Sequence, residues 1–310
     1  MPKRQKKIPI PERSEKSSKT GISELDNVLG GGIPEDSIVL LAGPSGSGKT
    51  LLCFQWLFEG VRNGENGIYI SITEPLFKSL KNLEKLSFYD RDAVVSEKLK
   101  LIDVREVYSD HSFEYEKFLH FIEKQVAEAN AKRLCIDSIT ALAYSISDKA
   151  DIRTFIFELG KILGTRGCTT VITSEVTEPN KFSVYGVEEF ISDVILRLDQ
   201  VRVKGELERV LQIIKVRGRE YGSGDLYFKI TNDGIVVFPR LWVPLEYAST
   251  TEKISTGIPL LDELTFGGVF RGSSTLLAGG TGTGKTLLGL QFLVVGTGGK
   301  NRRHEGHQRP

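Results

Sequence analysis

Short apolar runs and amphipathic stretches alternate along the first two thirds of this 310-residue chain. Ser37–Ala42, Ile68–Ile72, Leu99–Val104, Arg133–Asp137 and Thr169–Ser174 are brief and mostly apolar, as strands buried on both faces must be. Between them, Thr50–Arg62, Pro75–Leu86, Ser112–Ala129 and Ile152–Leu163 read as helices. Asn180–Phe190 fits neither period. Val194–Val203, Glu208–Val216, Leu226–Ile230 and Ile235–Phe238 then follow one another with no helix between them. The pattern predicts an α/β fold: a mainly parallel sheet flanked by helices, with a β-rich C-terminal extension.

Two strand-to-helix junctions are glycine-rich. Gly43-Pro44-Ser45-Gly46-Ser47-Gly48-Lys49-Thr50 and Gly279-Gly280-Thr281-Gly282-Thr283-Gly284-Lys285-Thr286 both fit the phosphate-binding pattern G-x-x-x-x-G-K-[ST]. Each follows an apolar run, Ser37–Ala42 or Ser274–Ala278, and each opens a helical run, at Leu51 or Leu287. The glycines let backbone N–H groups and a helix N-terminus face an anion. Lys49 and Lys285 would reach the β- and γ-phosphates, and the hydroxyls of Thr50 and Thr286 would ligate Mg²⁺. Gly43, Ser45, Gly46, Ser47, Gly48, Lys49, Thr50 and Leu51 are thus the first candidate nucleotide site. Gly282, Gly284, Lys285 and Thr286 are the second.

The likeness of the two junctions is part of a longer repeat. Thr20-Gly21-Ile22, Leu25-Asp26 and Gly32 recur as Thr256-Gly257-Ile258, Leu261-Asp262 and Gly268, at the 236-residue shift that also carries Lys49 onto Lys285. A period this long means tandem domains. The first spans residues 20–250, after a basic flexible tail over 1–19. The second starts at 253, keeps one strand, one loop and one helix, and is too small to bury a core of its own. Its last residues, from Gly296 to Pro310, lose all apolar periodicity. Where the first copy reads Gly67–Ile72, the second has no apolar run, which points to a truncated repeat with an aberrant basic tail, as a shifted reading frame would leave.

Charge and cysteine use narrow the setting. The net charge of +1 hides a net +5 over residues 1–19 and +3 over 300–310, so the body is acidic. Cations gathered in tails that lack apolar pattern read as solvated ends. Cys53, Cys135 and Cys168 are far apart, in apolar runs, and fit small buried side chains in a reducing cytoplasm. No apolar leader and no membrane-length apolar run is present.

Two acidic residues end candidate strands, the edge at which open α/β sheets bind ligands. Asp137 closes Arg133–Asp137 and suits a Mg²⁺ anchor; a helix N-cap is the alternative. Glu74 closes the run from Ile68 and suits the polarisation of an attacking water; a first-turn acid beside Pro75 is the alternative. Thr173-Ser174-Glu175, ending the next strand, is a weaker candidate for sensing the γ-phosphate. Lys215 and Arg217 lie on one side of a strand in the extension. Taken alone, they read as a solvated edge that discourages aggregation.

These residues together resemble the KaiC family of RecA-type ATPases. The resemblance rests on Thr20-Gly21-Ile22, Leu25-Asp26, Gly30-Gly31-Gly32, the first phosphate loop, Ile136-Asp137-Ser138-Ile139-Thr140, Tyr185-Gly186-Val187-Glu188-Glu189-Phe190, Lys215-Val216-Arg217-Gly218 and Thr231-Asn232-Asp233-Gly234. It covers nearly all of residues 20–240 and restarts near 253. It implies a RecA-like P-loop NTPase core, ATP and Mg²⁺ as ligands, and a homo-oligomeric, commonly hexameric ring with nucleotide between neighbours. It also implies that Lys215 and Arg217 reach the γ-phosphate held by the adjacent subunit.

The chain departs from the family at two places. Thr73-Glu74 stands where the family usually has two glutamates, leaving Glu74 as the sole catalytic carboxylate. Glu220-Tyr221 stands where the clock protein carries a histidine. The expected function is a cytoplasmic, Mg²⁺-dependent, ring-forming ATPase. A slow or non-catalytic ATP-dependent scaffold is the alternative. A Ser/Thr autokinase lacks the segment that would carry its phosphosites, and a DNA-handling recombinase is disfavoured by the acidic body.

Overall fold

The computed structural model describes residues 16–107, 114–141, 149–178, 181–184, 186, 188–238 and 250–297. The chain divides into two units, Met1–Leu241 and Trp242–Pro310.

The first unit contains β1 (Ser17–Ser18), α1 (Ser23–Val28), β2 (Ile33–Pro34), β3 (Ile38–Gly43), α2 (Lys49–Arg62), β4 (Gly67–Ser71), α3 (Leu76–Leu83), α4 (Arg91–Val95) and β5 (Leu99–Asp103). It continues through α5 (Val104–Val107), α6 (Tyr115–Ala129), β6 (Arg133–Asp137), α7 (Lys149–Thr165), β7 (Thr169–Glu175) and α8 (Glu188–Ile191). Four strands close it: β8 (Val194–Val203), β9 (Glu206–Val216), β10 (Asp225–Thr231) and β11 (Gly234–Phe238). Nine strands form one sheet in the order β11-β10-β9-β8-β3-β7-β6-β4-β5. From β5 to β8 neighbours run parallel. From β8 to β11 they run antiparallel, the consequence of short reversals in place of helical crossovers.

Alternation along the parallel strands feeds two cores. Val39, Leu41, Tyr69 and Cys135 face α2, whereas Ile38, Ile68, Ile70, Leu134 and Ile136 face α6 and α7. The helix after the phosphate loop is the more deeply sunk. Leu52, Cys53, Phe54, Trp56, Leu57 and Phe58 on α2 are all fully buried. Each such side chain contributes about 1.5–3 kcal/mol relative to exposure. Burial also pushes the thiols up, Cys168 to about 12 and Cys53 and Cys135 in the same direction. All three thiols are free and inside the fold.

Boundaries differ from the sequence expectation in places. The strand from Ile68 ends at Ser71, so Glu74 does not close it but sits in the turn before α3. Ser71 Oγ donates to the Glu74 carbonyl at 2.5 Å and holds that turn. The helix expected over Pro75–Leu86 is the shorter Leu76–Leu83. Glu188–Ile191 is a helical turn inside a stretch that reads as irregular; Asn180, Tyr185 and Val187 of that stretch lie outside the described residues.

The second unit contains β12 (Lys253–Ile254), α9 (Pro259–Leu264), β13 (Val269–Phe270) and α10 (Lys285–Thr297). Its entry segment repeats that of the first unit bond for bond. Thr20 donates to Asp26 Oδ1 through its backbone N at 2.9 Å and its hydroxyl at 2.8 Å. Thr256 does the same to Asp262 Oδ1 at 2.7 and 2.6 Å. Gln55 reaches the Gly21 carbonyl at 3.2 Å, and Gln291 the Gly257 carbonyl at 2.9 Å. The expected strand at Ser274–Ala278 is absent, and among the described residues no neighbouring strand pairs with that run. The helix shows the same lack. Leu290 and Leu293 are 55% and 60% exposed, whereas their counterparts in the first copy, Phe54 and Leu57, are fully buried.

One buried cation staples the first unit. Arg133, at the start of β6, donates to Glu65 Oε2 at 2.5 Å and to the carbonyls of Lys19 at 2.7 Å and Trp56 at 2.5 Å. Its guanidinium also lies 5.2 Å from the Trp56 ring centre. Arg133→Ala leaves these acceptors unpaired and is expected to destabilise the fold by roughly 2–4 kcal/mol. Arg62→Ala, at an exposed ion pair, is expected to cost less than about 0.5 kcal/mol. Urea midpoints of the two variants against the parent check the difference.

Candidate active site

The first phosphate loop joins the centre of the sheet to α2. Two of its glycines are structurally required. A Cβ on Gly43, at φ +151°, would lie 2.1 Å from the Leu198 carbonyl of β8. Gly48, at φ +109°, caps α2 in the left-handed region. Gln200 on β8 donates to the Gly46 carbonyl at 3.2 Å and braces the loop from the same side. The Ser47 hydroxyl is buried without a hydrogen-bond partner among the described residues. Such an atom costs stability unless something else uses it. Its place inside the loop fits an anion's oxygen.

Lys49 curls back over its own loop. Its Nζ donates to the carbonyls of Gly43 and Pro44, both at 2.8 Å. Burial lowers its pKa, and the carboxylates of Glu175 and Asp137 pull it back up. The next residue, Thr50, donates through Oγ1 to Asp137 Oδ2 at 2.7 Å. Asp137 is the meeting point of two further elements. Tyr69 on β4 donates to Oδ2 at 2.7 Å, and Thr173 on β7 donates to Oδ1 at 2.6 Å. These bonds turn the carboxylate toward the loop. Burial and the adjacent Asp137 charge hold the Tyr69 hydroxyl well above the usual phenol range, so it remains a donor.

A cleft of about 540 Å³ opens over this group. Lys49, Thr50, Leu51, Glu74, Asp137 and Glu175 line it, with Ile230 and Leu86 as an apolar end. Glu74 faces it from the turn after β4, with Oε2 3.4 Å from Ser79 Oγ. The other acidic candidate segment divides its roles. Thr173 is buried against Asp137, Ser174 pairs with Thr140 at 3.3 Å, and the Glu175 carboxylate is exposed. The sequence singles out neither Tyr69 nor Gln200, and it does not pair Thr173 with Asp137. Only the register of β4, β7 and β8 beside β6 and β3 brings them to the loop.

Lys215 and Arg217 are not part of this cleft. Val216 pairs with Val194, which pairs with Val39 near the start of β3. Gly43 lies four residues further along, about 13 Å at the rise of a strand. Both cations turn to the segment before β8. Lys215 Nζ donates to the carbonyls of Glu189 at 3.2 Å and Ser192 at 2.6 Å. Arg217 pairs with Asp193 at 3.2 Å and donates to the Phe190 carbonyl at 3.0 Å. Burial, and then the Arg217 charge, lower the Lys215 pKa. Phe190, beside them, is 76% exposed.

The second loop copies one feature of the first. Lys285 Nζ donates to the carbonyls of Gly279 and Gly280. Gly282 and Gly284 adopt φ +83° and +84°. Among the described residues, Thr286 has no carboxylate partner of the kind Asp137 gives Thr50.

Comparison with known proteins gives the family of the chain. A family model for the ATPase KaiC matches residues 18–241 and again 254–303. The circadian clock protein KaiC3 of Synechocystis sp. is 34% identical over 290 residues, covering 91% of this chain and 57% of its own length. The circadian clock oscillator protein KaiC of Parathermosynechococcus lividus is 34% identical over 284 residues, covering 89% and 52%. The chain therefore spans about half the length of these curated relatives. A KaiC-like protein of the hyperthermophilic archaeon Pyrococcus horikoshii OT3 superposes with a TM-score of 0.66 at 32% identity, over 72% of this chain and 99% of its own.

The loop's only buried cation is expected to dominate its anion affinity. Lys49→Ala should weaken Mg·ATP at least about 100-fold, the loss of two charge-assisted hydrogen bonds. Calorimetric titration of parent and variant measures it.

Proposed function

The chain belongs to the KaiC family of RecA-type ATPases, and on that footing we propose that its first unit binds and hydrolyses ATP in a ring of identical subunits. The observation that carries the reading is the single cleft uniting Lys49, Thr50, Asp137 and Glu74. Gly43–Thr50 receives the phosphates, with Ser47 and Lys49 as donors. Thr50 and Asp137 offer hard oxygens of the kind Mg²⁺ takes, and they already lie within 2.7 Å of each other. When bound there, Mg²⁺ neutralises charge on the β- and γ-phosphate oxygens.

Glu74 orients a water for attack on the γ-phosphorus and accepts its proton. The bond from that phosphorus to the β–γ bridging oxygen breaks, and ADP leaves with the electron pair. Lys215 and Arg217 face away from their own loop, so they serve the site of the adjacent subunit. The exposed Phe190 beside them supports a covered face there. No helix among the described residues is long and apolar enough to cross a membrane, in keeping with a cytoplasmic assembly.

A second reading is favoured by one feature. Thr73 precedes Glu74, so a single carboxylate serves the water. ATP would then chiefly hold the ring together, as a scaffold with incidental turnover.

Two measurements test these readings. The ATPase rate per subunit is expected to rise with protein concentration, because half of each site is supplied in trans; a flat specific rate removes the ring. Glu74→Gln is expected to preserve Mg·ATP affinity and slow turnover about 100-fold. An unchanged rate in that variant, at saturating Mg·ATP, favours the scaffold.

A further inference from the structure

Lys215 and Arg217 are long, and Arg217 is half exposed, yet both are held in place. Residues 189–193 form the holder. The carbonyls of Glu189 and Ser192 take Lys215 Nζ, and the Phe190 carbonyl takes one arm of the Arg217 guanidinium. Asp193 makes the one charged contact of this set, from Oδ1 to Arg217 Nη1 at 3.2 Å.

Asp193 is also tied to the strand that leads into the phosphate loop. Its Oδ2 accepts from the backbone N of Ile38, the first residue of β3, at 3.1 Å. Its own backbone N donates to the Ile38 carbonyl at 2.8 Å, and its carbonyl accepts from the Arg217 N at 2.9 Å. One residue thus bonds the start of β3 through a side-chain oxygen and its main-chain N–H, and bonds Arg217 through its other carboxylate oxygen and its carbonyl. A solvated surface aspartate needs none of this. An acid that served only to align the start of β8 with the end of β9 would not need its side chain divided between the two.

We infer that Asp193 is a positioning residue: it aims Arg217 at the adjacent subunit's phosphate site and fixes that aim to the β3 strand of its own loop. The inference rests on the reading that Arg217 acts in trans. A small displacement of an aimed group costs rate without costing substrate affinity. The link also gives each subunit one rigid path between the site it contains and the site it completes.

Asp193→Asn tests this, because the amide oxygen can still accept from Ile38 while the charged hold on Arg217 is lost. The variant is expected to lower kcat about tenfold, to leave KM for ATP and the oligomeric mass unchanged, and to be partly rescued in Asp193→Glu. The decisive comparison is with Arg217→Ala. The double variant should be no slower than Arg217→Ala alone, since Asp193 has nothing left to aim.

A second measurement isolates presentation of the arginine. Mixed rings of Lys49→Ala chains and Arg217→Ala chains should regain activity, because the first supply Arg217 and the second supply loops. Adding Asp193→Asn to the Lys49→Ala chains should remove most of that gain. Parent-like kcat in Asp193→Asn, or losses that multiply in the double variant, overturn the role of Asp193 alone. Parent-like turnover in Arg217→Ala, or a parent chain without turnover, overturns the trans site and this inference with it.

Discussion

The Asp137 carboxylate is the contact on which the rest of the site depends. It ends β6, yet it accepts from Thr50 on α2, Tyr69 on β4 and Thr173 on β7. Three neutral donors around one buried carboxylate satisfy its lone pairs without neutralising its charge. The arrangement fixes the first turn of α2 against the sheet, and with it the backbone of the phosphate loop. A carboxylate held this way cannot swing to follow a ligand. Its face is set before any ligand arrives, which is the condition for electrostatic preorganisation.

The elements were legible in the chain because the strands are nearly all apolar and the helices between them are amphipathic. The phosphate loop was legible because its glycines and Lys49 stand at fixed spacing. What the chain did not disclose is who faces whom. Tyr69 reads as an aromatic in a buried strand, and Thr173 as part of a strand end that could sense a phosphate, with nothing to link either to Asp137. Both become partners of Asp137 only through the order β7-β6-β4, which places strands distant in sequence side by side. Glu74 was placed at a strand end by its apolar neighbours. The strand stops three residues earlier because Ser71 turns its hydroxyl to the Glu74 carbonyl.

The repeat shows what local sequence can do without its surroundings. Thr256, Asp262 and Gln291 rebuild the bonds of Thr20, Asp26 and Gln55, because those contacts need only the entry segment and the helix after the phosphate loop. Ser274–Ala278 matches Ser37–Ala42 in its Leu-Leu-Ala end and still forms no strand. Strand formation is decided by neighbours, and helix formation far less so.

The position of β3 has a consequence for how the chain is made. It is the central strand of nine, fifth from either edge, and it is among the first strands synthesised. Its two neighbours, β7 and β8, leave the ribosome more than a hundred residues later. Until then both of its edges are open, flanked by an apolar α2 with no sheet to cover. Such long-range pairing is slow and leaves sticky edges in the interval. Ser274–Ala278 and α10 stand in the condition through which β3 and α2 pass during translation.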